Sequence, residues 1–336
     1  MLERLAGNPD LRRDLTAALR AGRLAHSVLL CGEKGLGAGF AARCLAADYL
    51  YPAGGPAAEA VLAGTADECI EVRGEGASGE IKVARVREVR REIYGTALSA
   101  VGRAVLFYDA HRLNASSGNA LLKLLEEPPA GALFILTASS PAAILPTLRS
   151  RCAVYTLSPV SEAECAAWLQ VHAPRAAGAP PLAPQQLAAV YAGQLGEVMR
   201  VLQNPQRAAV LADALKIASL AAKHREYELL CALAAYEPAR RGKKKPARKP
   251  AAKKGPAAGQ PAAKEPEEGQ QPDARLLLRD LACLGSAGMR GQDGIGLPPA
   301  LGARLARAAE DAAAALAANA NPKLVLTNLA IHLAQP

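Results

Sequence analysis

The stretch GEKGLGAG, residues 32–39, places Gly32 and Gly37 at the spacing with which a strand-to-helix turn wraps its backbone N–H groups around phosphate oxygens. In a working phosphate loop the next two residues are a lysine, which reaches the β- and γ-phosphates, and a hydroxyl that ligates Mg²⁺. Here they are Ala38 and Gly39. A turn that merely packs closely needs glycines too, so Gly32, Gly35, Gly37 and Gly39 alone leave both readings open. A second signature is AVLFYDAHR, residues 104–112, an apolar run leading to Asp109. At such a strand end an aspartate holds Mg²⁺ and the following glutamate orients water, but the following residue is Ala110. An aspartate there can equally be a plain loop or cap residue. Two half-sites in the right order, each lacking a reactive group, point to a nucleotide loop that has kept its backbone and lost its chemistry.

The elements that must position these residues are legible as apolar runs. Residues 27–31, 68–73, 103–109, 133–139 and 153–157 are short and apolar or β-branched, separated by helical patterns. This is the signature of a parallel sheet covered on both faces, an α/β domain over residues 1–158. Asn8 as N-cap and Pro9 at the first helical position open a helix with Leu11, Leu15 and Leu19 on one face. After residue 158 strand signals stop. Ser161 and Glu164 form a capping box that starts a helix through Trp168, the first of a small helical unit over 159–205. A second all-helical region runs from 206 to 336. Residues 238–274 interrupt it with Pro, Lys, Ala and Gly, a composition that buries too little apolar surface to order itself.

Composition limits the classes of function. The net charge is +9, yet residues 240–264 hold ten Lys and Arg and no acid, so the rest of the chain is near neutral. That segment is either a solvated linker or a nonspecific attractor of DNA phosphates. With three Phe and one Trp, base stacking on aromatics is a poor prospect. Seven cysteines without a CxxC pair read as buried free thiols in a reducing, cytoplasmic setting. No run of about 18 apolar residues signals a membrane span.

Residues 109–152 carry a more specific pattern: the helix NALLKLLEEPP, a following strand with Thr137, and the triplet Ser150, Arg151, Cys152. Together they resemble the clamp-loader branch of AAA+ proteins. GRLAHSVLLCG before the glycine turn and NPKLVLTNLAIHL near the end resemble the entry helix and the collar of that family. Within the branch, Ala38, Gly39 and Ala110 resemble the delta-prime subunits of bacterial DNA polymerase III rather than the ATPase subunits.

The resemblance implies an AAA+ domain, a helical lid and a helical collar that oligomerises. It implies little or no ATP turnover by the chain itself. Arg151 is then offered in trans to ATP and Mg²⁺ held by a neighbouring gamma/tau-type subunit. A delta-type subunit, the sliding clamp and primer-template DNA complete the complex. Thr137 takes the sensor-1 place, and Arg200, near Gly193 and Gly196, lies where sensor 2 is found or on a solvated face. The four-cysteine zinc module of many relatives is absent, since residues 45–68 hold no cysteine. Cys44 and Cys69 amount to half a site, and no metal is expected. His26 and His111 read as structural, Glu126 and Glu127 as capping or solvated. Two other functions stay open: a weak ATPase using Lys34, and a DNA-binding protein acting through residues 240–264.

Overall fold

The computed structural model describes residues 1–76, 79–94, 102–172, 182–236, 273–291 and 296–334. The expected disordered insertion lies outside the described residues except at its end. There Asp273 caps and Ala274 opens a helix, so the predicted boundary runs two residues too far.

Five parallel strands, β1 (Ser27–Cys31), β2 (Cys69–Val72), β3 (Arg103–Phe107), β4 (Ala132–Ala138) and β5 (Ala153–Thr156), form one sheet in the order β2-β3-β4-β1-β5. Every residue of β1 and of β4 is buried, because inner strands of a parallel sheet have both faces covered. Alternate side chains feed two separate cores. Val28, Leu30, Ala104, Leu106, Leu133 and Ile135 point to one, Leu29, Cys31, Val105, Phe107, Phe134 and Leu136 to the other. The edge strand β5 has no such double cover, and Val154 is exposed.

Helices α1 (Pro9–Arg20), α2 (Ala38–Leu50) and α3 (Pro56–Ala63) supply the first core, and α4 (Val83–Ile93), α5 (Ala115–Glu126) and α6 (Pro146–Arg149) the second. Asn8 occupies the N-cap position of α1 but in a left-handed backbone conformation and without a capping bond. Its amide instead joins α1 to the end of β5, accepting from Ser158 N at 2.7 Å and donating to Ser158 O. The three helices that follow, α7 (Glu162–His172), α8 (Pro184–Val190) and α9 (Leu195–Gln203), belong to the same compact unit as the sheet. Ser161 and Glu164 form the predicted capping box: Glu164 N donates to Ser161 Oγ and Ser161 N to the Glu164 carboxylate.

A second compact unit begins at Asn204. It contains α10 (Pro205–Ala222), α11 (Glu226–Ala234), α12 (Ala274–Met289), α13 (Pro299–Ala317) and α14 (Pro322–Ala334). An ion pair inside it joins α10 to α12, Arg207 holding both carboxylate oxygens of Asp280 where neither residue is more than 6% exposed. The thiols of Cys31, Cys44, Cys69 and Cys165 are buried as expected, but Cys231 on α11 is exposed.

Candidate functional site

The sheet order places β1 between β4 and β5, so the chain leaves β1 at the point where successive connections diverge. In open α/β sheets the crevice beyond the carboxyl ends of the strands at such a point is where ligands bind. The glycine turn lies there, running from β1 into α2. Gly35 and Gly37 have φ of 103° and 91°, which L side chains adopt only under strain, so the loop backbone depends on glycine.

The space around this loop is filled from within the chain. Gly196 N, at the start of α9, donates to Gly35 O at 2.9 Å. A Cβ on Gly35 would lie 2.9 Å from Gln194 Oε1 and 3.1 Å from Glu197 Cγ. Glu197 is 1% exposed and paired with Arg200. What meets the loop from this side is therefore the backbone N–H of Gly196, the amide of Gln194 and the methylene stem of Glu197. Arg200, the candidate sensor-2 residue, lies one turn farther along the helix and spends its charge on Glu197.

On the other side of the loop, Tyr108 packs against Gly39, its ring carbon Cε1 3.1 Å from where a Cβ at 39 would stand. A threonine in that place would have to displace the ring. The ring is held firmly. Tyr108 Oη donates to Glu71 Oε1 at 2.9 Å, and Arg43 Nε donates to Glu71 Oε1 at 2.6 Å and to Tyr108 Oη at 3.1 Å. The Arg73 guanidinium stacks 3.6 Å from the ring centre. Burial pushes the Tyr108 hydroxyl well above its ordinary range. Burial also raises the Glu71 carboxyl, but hydrogen bonds from Arg43 and Tyr108 and the Arg43 and Arg73 charges outweigh it and hold the group below its usual range.

Asp109 lies beyond the end of β3, with φ 52°, its side chain 62% exposed and 3.9 Å from Arg112. Its backbone N donates to Thr137 Oγ1 at 3.1 Å, so the sensor-1 candidate, 5% exposed, serves to hold the turn after β3. Ala110 is buried and Lys34 is exposed. Of the predicted residues the fold thus joins Asp109 to Thr137 and Gly35 to Gly196, while Asp109 and Arg200 face the charges of Arg112 and Glu197. Nothing in this set fits a Mg²⁺-nucleotide: no lysine or hydroxyl opens α2, and an aromatic ring packs against its first turn.

Arg151 sits at the opposite end of the crevice residues in sequence, between α6 and β5. It is 39% exposed, its Nη2 donating to Glu126 Oε1 at 2.5 Å and its Nη1 to Thr147 O at 3.2 Å. Ser150 Oγ donates to Thr147 O, and Cys152 is half-buried, its thiol pushed up to about 11 by burial and the nearby Cys31. His26 Nε2 donates to Leu125 O, and His111 is exposed. Burial pushes the thiols of Cys44 and Cys69 up to about 12, which disfavours the thiolate a metal needs. No group of three or more His, Cys, Asp or Glu fit to hold a metal occurs among the described residues.

The family model for the DNA polymerase III delta subunit matches residues 7–161. Subunit delta' of DNA polymerase III from Escherichia coli is 32% identical over 169 residues, which cover 48% of this chain and 50% of that protein. Residues 7–161, a little under half of the chain, are thus similar to DNA polymerase III delta and delta' subunits. DNA polymerase III subunit gamma/tau from Mycobacterium tuberculosis (strain H37Rv) is also 32% identical, over 158 residues covering 44% of this chain and 27% of that one. The chain thus spans half or less of the length of these curated relatives. A solved DNA polymerase III gamma subunit-related protein from Thermotoga maritima shares the fold across 95% of the chain, with a TM-score of 0.50 at 17% identity and 98% of its own length covered. The fold shared with it is a five-stranded parallel α/β domain, three further helices and a carboxyl-terminal set of helices.

Sequence reasoning missed Tyr108, Glu71, Arg43, Gln194 and Glu197. A tyrosine beside Asp109 in an otherwise aliphatic run was the one available signal. The Arg43–Glu71 pair joins residues with no shared pattern, and Gln194 and Glu197 look like ordinary polar positions of a helix start.

Proposed function

We propose that the chain is a non-catalytic clamp-loader subunit of the delta-prime type, which takes part in ATP-driven loading of a sliding clamp onto primer-template DNA in the bacterial cytoplasm. The observation that carries this is the loop at 32–39, whose backbone geometry is kept while Ala38, Gly39 and Ala110 replace the reactive groups and Tyr108 and Glu197 close in on it. The chain binds no nucleotide or zinc of its own. Its partners are gamma/tau-type ATPase subunits and a delta-type subunit, and residues from 206 onward form the collar that joins them. An ATPase role for Lys34 is disfavoured by its place early in the loop, four residues before the position from which a phosphate-loop lysine reaches the β- and γ-phosphates.

The chemistry lies in trans. Arg151, exposed between α6 and β5, is presented to the γ-phosphate of ATP bound with Mg²⁺ by the adjacent subunit, where such an arginine contributes about 10³ to 10⁵ in rate. It stabilises charge that develops in the transition state, so its removal slows hydrolysis more than binding. The test is Arg151→Ala in the reconstituted complex. Clamp- and DNA-stimulated turnover should fall by the share of the one interface this chain faces, with assembly and ATP affinity kept. Lysine should rescue poorly, lacking the planar fork. Dissociation of the complex, or stimulated turnover at the wild-type rate, would overturn the assignment.

A further inference from the structure

Glu126 is the last residue of α5, with Glu127 next to it. Carboxylates at a helix carboxyl end oppose the macrodipole and face unsatisfied carbonyl groups, so local helix energetics give no reason for one there. Its hydrogen bond and ion pair go to Arg151, 25 residues away. The other arm of the guanidinium is held by Thr147 O of α6. Two different elements thus grip one planar fork from two sides, which fixes the direction of a side chain that would otherwise sample many rotamers. The pair is 39% and 47% exposed, and an ion pair that open contributes little to stability. Its geometry serves something other than holding α5 and α6 together.

We propose that Glu126 is the positioning residue for Arg151: it holds the guanidinium extended toward the neighbouring subunit before that subunit's nucleotide arrives. This rests on the trans role proposed for Arg151. Pre-orientation lowers the entropic part of a barrier, and small misplacements cost about 10²-fold in rate. An open, solvated pair suits the task, since a triphosphate with its higher charge can draw the guanidinium's remaining donors while Glu126 keeps Nη2.

The experiment compares Glu126→Ala, Glu126→Gln, Arg151→Ala and the double alanine variant in the reconstituted complex, measuring stimulated kcat and the KM for ATP. Glu126→Ala should remove most of the turnover that Arg151→Ala removes, acting on kcat with KM unchanged. Glu126→Gln, which keeps an acceptor oxygen, should restore at least half of that loss. The double variant should be no slower than Arg151→Ala. If Arg151→Ala is slow but Glu126→Ala turns over at the wild-type rate or faster, Glu126 does not position the arginine and the trans role stands. If glutamine and alanine are equally slow, or the loss appears in KM, the proposal also fails. Wild-type turnover by Arg151→Ala would overturn both assignments together.

Discussion

At the scale of single residues, the glycine at 39 and the tyrosine at 108 are one change seen from two sides. A hydroxyl-bearing residue at 39 would crowd the phenol ring, which stands 3.1 Å from where its Cβ would be and would have to give by a few tenths of an ångström. Restoring the phosphate-loop residues with Ala38→Lys and Gly39→Thr should therefore fail to restore nucleotide binding. It should also cost about 1–3 kcal/mol, the usual penalty of overpacking, read as a lowered midpoint in thermal or urea unfolding. Adding Tyr108→Val should open the space and give measurable Mg²⁺-ATP binding by calorimetry, at a further cost in stability from the lost ring and its hydrogen bonds. Tight nucleotide binding by the double variant with Tyr108 in place would show that the ring is no obstacle.

At the scale of elements, the Arg43–Glu71–Tyr108 network ties α2, β2 and the end of β3 into one piece beside the loop. The Glu71 carboxyl titrates below its usual value in the fold. Its stabilising contribution is thus present above the ordinary carboxylate pKa of about 4.3 and is lost as pH falls through the lower folded value. Glu71→Gln should flatten the decline of stability in that acid window and destabilise the protein at neutral pH by about 1–3 kcal/mol, since the Arg43 guanidinium keeps its half-buried place without a charged partner. Urea unfolding of both proteins at neutral and acid pH checks the sign. Equal pH slopes would mean that the carboxyl is not what titrates there.

At the scale of the whole molecule, α10 and α12 are joined by packing and by the buried Arg207–Asp280 pair, although the chain between α11 and α12 passes through the basic segment. The described contacts of the second unit are complete without that segment. Deleting residues 238–272 should therefore leave the unfolding midpoint within a degree or two of the parent, by calorimetry. Removing ten positive charges should reduce any DNA affinity at low salt and shrink the salt slope, which is about −0.9 per neutralised phosphate on duplex DNA. An unchanged slope would assign DNA contact to the folded units instead.

The sequence by itself determined the five strands, their parallel class and the missing reactive groups, because each is written in neighbouring residues. Periodicity marks a buried strand, and Ala38, Gly39 and Ala110 are absences visible at fixed offsets. What fills the loop and what grips the arginine were decided by tertiary structure alone. Tyr108 meets Gly39, Glu197 meets Gly35 and Glu126 meets Arg151 across 69, 162 and 25 residues, distances over which no local spacing records a contact. Strand order, lid closure and the ends of α5 and α6 bring these groups together, and only packing in three dimensions sets those.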